Sequence, residues 1–333
     1  MDRKGIALAG SLVMDIGYMI DQYPEKEKLT QIYDPTYHTG GVNNLLIDLV
    51  NLDSSIPIKV SGLVGEDENG QRILDTLKQY PNVDSSNITR EGRTALTYAM
   101  TEIVGKKRTF FCDMGTSTDY DIKHIDLDKM DAEIFHLEYL LFLGKLDEPD
   151  PEYGTRSARV LCEAQRRGMK TSIDMVSDAD KSKYPRMIWP ALKYTDFCII
   201  NEAEASGVVE EDIYDENGVI EEKVWPALER LKELGVREWA IIHSPKCGYG
   251  LNCKTGEKIA VPSLHLPEGF VKGTTGAGDA FCCGVLYSAY NGLGLETALK
   301  LGAKTAACSL SAEDSNSGIV KFEDIDKALA GIE

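Results

Sequence analysis

The stretch from Val271 to Tyr287, VKGTTGAGDAFCCGVLY, has the residue types and spacing for phosphate chemistry. Small residues run from Gly273 to Gly278, Asp279 follows, and an apolar segment with helical spacing extends from Ala280 to Asn291. Glycine and threonine favour a tight turn here over a strand or a helix interior. The turn therefore sits at a helix N-terminus, where the first amide groups have no partner within the helix and the dipole is positive. A phosphate, or the negative charge that develops during phosphoryl transfer, would be held there. Asp279 is the one ionisable side chain of the turn, and an ordinary acidic helix cap is the bland alternative. A dinucleotide-binding turn is the other rival. Gly276 and Gly278 give its first glycine pair, but Phe281 occupies the third position. No pattern ending in Gly-Lys-Ser/Thr marks a P-loop.

The elements that position this turn are those of a globular chain. Its 333 residues and 43% hydrophobic content suffice for one large domain with an appendage. No run of about 20 apolar residues is long enough to span a bilayer. The opening MDRKGIALAGSLVMD lacks the apolar core of a signal peptide, so the cytoplasm is expected. A formal net charge of -18 argues against nucleic-acid and anionic-membrane partners, but leaves room for a small phosphorylated ligand in a local pocket. The 8 cysteines form no C-x-x-C pair, and Cys198 and Cys308 lie in apolar runs that suit buried, reduced thiols. His243 ends an apolar run and reads as a packed residue.

Along the chain, Ile6 to Ala9 is a short strand, and Asp15 follows at a strand end, where α/β folds open onto ligand crevices. Asp15 is either an acceptor for substrate hydroxyls or a turn residue capping its own backbone. Segments of about 15–38 and 94–112 carry β-rich runs and read as strands of a small lid, with a hairpin around Gly105-Lys106-Lys107. A lid excludes water from a phosphoryl-transfer site. Gly40 and Gly41 allow close backbone approach, and Asn43 or Asn44 starts a helix. Ile56 to Val64 reads as a strand. From Glu138 onward, strands at 139–143, 170–174, 197–200 and 238–243 alternate with helices. That spacing predicts a parallel sheet with helices on both faces. Asn201 and Glu204 stand three apart at a helix start, as a cap or as ligand-binding residues.

The TTGAGDAF sequence resembles the signature of the PfkB (ribokinase-like) carbohydrate kinases, and motifs from about Ile6 to Ile325 follow that family's order. The resemblance implies a three-layer αβα fold with a mainly parallel central sheet and a small β-sheet lid, over 1–333. It implies ATP-dependent phosphorylation of a sugar hydroxyl, with Asp279 as general base and the amides of Gly276, Ala277 and Gly278 as an anion hole. Asp15, Gly40, Gly41 and Asn44 would hold the sugar. Asn201 and Glu204 match the family's Asn-x-x-Glu and would organise Mg²⁺ through water. Thr274, Thr275 and Gly248 would line the nucleotide. Two positions depart from the pattern. Pro245 replaces the first glycine of the loop that ends in Gly248. Gly273 stands where relatives with a monovalent-cation site carry Asp, so potassium activation is not implied. A nucleoside kinase of the same fold and a non-catalytic sugar or nucleotide sensor are the competing functions, and an exposed lid edge could pair two copies.

Overall fold

The structure, a computed structural model, describes residues 4–332 except residues 34 and 106. Lys106, expected at the tip of the lid hairpin, lies outside the described residues. Among the described residues nine strands form the main sheet, in the spatial order Lys258–Pro262, Cys247–Asn252, Trp239–His243, Phe197–Asn201, Lys170–Met175, Ile134–Leu140, Ile6–Gly10, Ile58–Val64 and Val83–Arg90. From Trp239–His243 to Val83–Arg90 every neighbour is parallel, and the first two strands add an antiparallel edge. Parallel strands covered on both faces should be apolar on both. Ile6 and Leu8 join one core with helices Val42–Leu52, Ala277–Tyr290 and Leu295–Leu310, while Ala7 and Ala9 join the opposite core with Arg156–Arg166 and Glu221–Leu234. The alternation of one short strand thus builds both helical layers. Among the described residues no helix is long and apolar enough to cross a membrane.

A second sheet of four strands makes the lid, in the order Thr36–Gly41, Leu12–Ile20, Ala95–Glu102 and Arg108–Asp113. Its central pair is parallel and its outer pairs are antiparallel. Only Ser11 separates the first core strand from the lid, so the chain passes directly from one sheet into the other. Asp15 therefore lies inside a lid strand, opposite His38 and Thr97, and not in a turn past a core strand.

Three further elements differ from expectation for identifiable reasons. The strand expected at 139–143 is Ile134–Leu140. The Asp147 carboxylate accepts the amides of Leu141 (3.1 Å) and Leu143 (2.7 Å), which bends that apolar stretch into a turn. The first helix starts at Val42, because Gly41 at φ 66 caps it, so Asn43 and Asn44 occupy its first turn. The loop that the resemblance ends at Gly248 gives way to the strand Cys247–Asn252, whose glycines serve packing. A Cβ on Gly250 would lie 2.9 Å from Leu295, and one on Gly248 would lie 3.1 Å from the Phe281 ring. Two helices can rest on that strand only because those side chains are missing.

Candidate active site

The carboxyl ends of the parallel strands converge on the N-terminus of helix Ala277–Tyr290. Gly276 caps that helix in the left-handed region (φ 80, ψ 0), a conformation other residues adopt at a cost. Its missing side chain also matters, since a Cβ there would lie 2.6 Å from the Cβ of Ser315. Among the described residues, the amides of Gly276, Ala277 and Gly278 have no hydrogen-bond acceptor, and the first backbone bond of the helix runs from Ala280 to the Gly276 carbonyl at 2.8 Å. The turn thus presents open donors at the positive end of a 14-residue helix.

Asp279 lies one step further on, 8% exposed. The Tyr139 hydroxyl donates to its Oδ1 at 2.5 Å, and the Asn44 amide donates to its Oδ2 at 3.0 Å. Burial pushes its pKa up to about 6, the two hydrogen bonds pull it back, and the nearby Asp15 charge adds to the rise. A carboxylate in this range exchanges protons near neutrality, as a general base requires. Each of its oxygens has a second lone pair for an incoming hydroxyl.

Asp15 and Gly40 form the adjoining wall. Gly40 is packed so closely that a Cβ would fall 2.3 Å from Asp15 Oδ2, so any side chain there would displace the Asp15 carboxylate. Burial raises the Asp15 pKa to about 6, against a hydrogen bond from Thr97 and the charge of His38. Asp15 and Thr275 line a cleft of about 950 Å³ that the lid shares with helices Val42–Leu52 and Glu68–Leu77 and with residues 313–317, together with Tyr18, Tyr37, Tyr80 and Phe110. Asp279 does not itself line this cleft; its carboxylate is covered by its partners Asn44 and Tyr139. The Oδ1 atoms of Asn43 and Asn44 are buried without a protein partner, so Asn44 offers an unused acceptor next to the base.

Asn201 and Glu204 come together as a capping box on helix Glu202–Val209. Asn201 Oδ1 accepts the amides of Ala203 and Glu204 at 2.9 Å, and Glu204 Oε2 accepts the Asn201 amide at 2.9 Å. The cap thus accounts for the pair's local geometry. Glu204 is nevertheless buried, with a pKa raised by burial to about 7, and burial first, then the Glu204 charge, raises that of neighbouring Asp174. Asp174, Glu138 and Asp279 bring carboxylate oxygens within 4.8 Å of one another, an all-oxygen set whose chemistry fits a hard divalent cation. Of the nucleotide-side candidates, Thr275 lines the cleft and Thr274 is exposed. Gly248 is buried near the start of its strand, against the Phe281 ring of the helix that the glycine turn opens. His243 stacks on Phe281 at 4.8 Å, the packed role expected of it.

Sequence reasoning missed Glu138, Tyr139 and Asp174. His136 and Glu138 form a buried pair at 2.9 Å, two residues apart on one strand face. Two polar residues flanking Leu137 in an otherwise apolar strand were the available signal. Tyr139 suggests a test. Its hydroxyl favours the ionised form of Asp279, so Tyr139→Phe is expected to raise the base's pKa. The acid limb of the kcat/KM pH profile should move to higher pH, because activity appears only as Asp279 loses its proton. An unmoved limb would exclude Tyr139 from the base's environment.

With this geometry established, comparison with known proteins gives a consistent result. Residues 4–321 match the family model described as pfkB family carbohydrate kinase. The ribokinase of Thermotoga maritima is similar in fold, with a TM-score of 0.78 at 17% identity over 98% of this chain and 99% of that one. Arabidopsis thaliana ribokinase, solved with ribose and ATP, gives 0.78 at 18% over 99% of each chain. A nucleoside kinase of Methanocaldococcus jannaschii gives 0.75 at 19%, again over 99% of each.

Proposed function

The chain belongs to the pfkB family of carbohydrate kinases, and from that premise we propose that it transfers the γ-phosphoryl group of ATP to a sugar hydroxyl. The observation that carries this reading is Asp279, a buried carboxylate with a pKa of about 6, in the first helical turn beside three open amides. Asp279 takes the proton as the acceptor oxygen attacks phosphorus. The amides of Gly276, Ala277 and Gly278 meet the charge on the transferring group. Asp15 and the free Oδ1 of Asn44 accept sugar hydroxyls, while Gly40 and Gly41 keep the wall close. Thr274 and Thr275 border the nucleotide phosphates. Glu204, oriented by Asn201, would hold Mg²⁺ through water with Asp174 nearby; such an ion supplies charge neutralisation of the phosphates. Positioning and electrostatics carry most of the rate.

The size of the cleft and the aromatic rings of Tyr18, Tyr37, Tyr80 and Phe110 along it favour a second reading, a nucleoside acceptor whose ribose hydroxyl meets Asp279. ADP release from ATP and Mg²⁺ with a panel of sugars and nucleosides decides between them and tests the function itself. Acceptor-dependent ADP release supports a kinase, and saturable binding with no turnover across the panel points to a sensor.

The lid exposes Ile32, Val104 and Phe111, none of which lines the cleft, and these apolar side chains support pairing of two copies lid to lid. Sedimentation is expected to give twice the 36.7 kDa chain mass, and a Phe111→Asp variant half of that. A wild-type monomer at micromolar concentration would exclude the pairing.

A further inference from the structure

We propose that Arg108, on the lid, is a catalytic residue that contacts the phosphoryl group in transit and shares its charge with the glycine turn. The inference rests on the phosphotransfer reading above. Arg108 opens the lid strand Arg108–Asp113 and pairs with Thr101 across the ladder. Its Nε donates to Thr101 Oγ1 at 3.2 Å, and its Nη1 donates to Thr275 Oγ1 at 2.9 Å. Thr275 immediately precedes Gly276, so the guanidinium lies at the edge of the open amides, and both residues line the same cleft.

The charge balance around Arg108 is unusual for this chain. The sequence carries 54 acidic against 36 basic residues, yet Arg108 has no carboxylate partner among the described residues. The other arginine of the cleft, Arg72, pairs with Glu68 at 2.6 Å and lies over the Tyr37 ring. Arg108 instead holds two neutral hydroxyls. Hydroxyls fix a guanidinium without cancelling its charge, and its five donors leave capacity for an anion. The carboxylates of Asp15 and Asp279 make such a cation useful, because they repel an incoming phosphate.

In the reaction the acceptor oxygen forms a bond to the γ-phosphorus as the bond to the β,γ-bridging oxygen breaks. The electron pair leaves with ADP, and the hydroxyl proton goes to Asp279. Arg108 keeps its protons and donates hydrogen bonds to non-bridging oxygens, an interaction strongest when charge is spreading over them. Because Arg108 belongs to the lid and Thr275 to the turn, the charged site is complete only with the lid in place. Exclusion of water and completion of the site are thereby one event.

The test compares Arg108→Gln, Arg108→Ala and Arg108→Lys in steady-state turnover with an acceptor from the panel. It also measures binding of Mg·ADP with and without aluminium fluoride by calorimetry. Removal of the charge is expected to lower kcat by ~100-fold, the scale of one lost donor to a developing anion, while the KM for ATP changes little. Arg108→Lys should retain part of the activity, since it keeps the charge but not the planar fork. Wild type should bind Mg·ADP more tightly with aluminium fluoride, and Arg108→Gln should lose that gain. Four results overturn the inference: kcat of Arg108→Gln within twofold of wild type, equal losses in the Lys and Gln variants, an unchanged fluoride gain in Arg108→Gln, or a rise only in the acceptor KM, which would make Arg108 a contact for an anionic acceptor. If wild type itself shows neither turnover nor a fluoride gain, the phosphotransfer reading falls first and takes this inference with it.

Discussion

Asn in place of Asp279 is expected to leave the fold intact and to lower kcat by ~10²–10⁴-fold, the range of lost general-base catalysis. The exchange is isosteric. The carbonyl oxygen of the new side chain can still accept from Tyr139, which now sits 2.5 Å from Oδ1. The NH₂ group would face the Asn44 amide, but Asn44 can rotate to present its unpartnered Oδ1 instead. Removing a buried carboxylate next to Asp15 also relieves like-charge crowding. Thermal melting should therefore shift by no more than a few degrees, while a coupled ADP assay shows the loss. Turnover within ~tenfold of wild type would remove Asp279 from the role of base.

Gly276→Ala should be nearly as damaging, for a different reason. An alanine at φ 80 costs about 1–2 kcal/mol in backbone strain alone, and its Cβ would press on Ser315 at 2.6 Å. Either the turn or the loop that carries Ser315 must move. A displacement of about 1 Å at a site of this kind costs ~100-fold in rate. Gly278 makes a useful contrast, since a Cβ there would meet only His243 Cε1 at an ordinary 3.5 Å. Gly278→Ala is expected to lose less activity than Gly276→Ala. Comparable losses in the two variants would mean that the open amides, and not the strained cap, set the sensitivity.

The large sheet was legible because strand and helix periods alternate so regularly after Glu138, and the glycine turn because its residue types serve few other purposes. The lid strands Ala95–Glu102 and Arg108–Asp113 were legible from β-rich runs around a glycine. What sequence could not supply was the meeting of distant side chains. Tyr139 and Asn44 reach Asp279 across 140 and 235 residues, so neither contact leaves a local pattern. Asp15, read as a candidate sugar acceptor at the end of a strand, lies within a lid strand instead, since nothing in Ser11–Leu12 announces a change of sheet. Asn201 and Glu204 were identified as a pair, and their capping box is the alternative the sequence left open. Gly248 was assigned to a nucleotide loop by the resemblance alone, and sequence could not show that its missing side chain also makes room for the Phe281 ring.

The central claim is that the phosphorylated hydroxyl is the one Asp279 can deprotonate. A crystal structure with a non-hydrolysable ATP analogue and an acceptor from the panel, whose phosphorylated position has been assigned by NMR of the product, tests it most directly. That hydroxyl is expected within about 2.6–3.2 Å of an Asp279 oxygen, with the γ-phosphate on the Gly276–Gly278 amides. A phosphorylated hydroxyl out of reach of Asp279, or a γ-phosphate bound away from that turn, would contradict it.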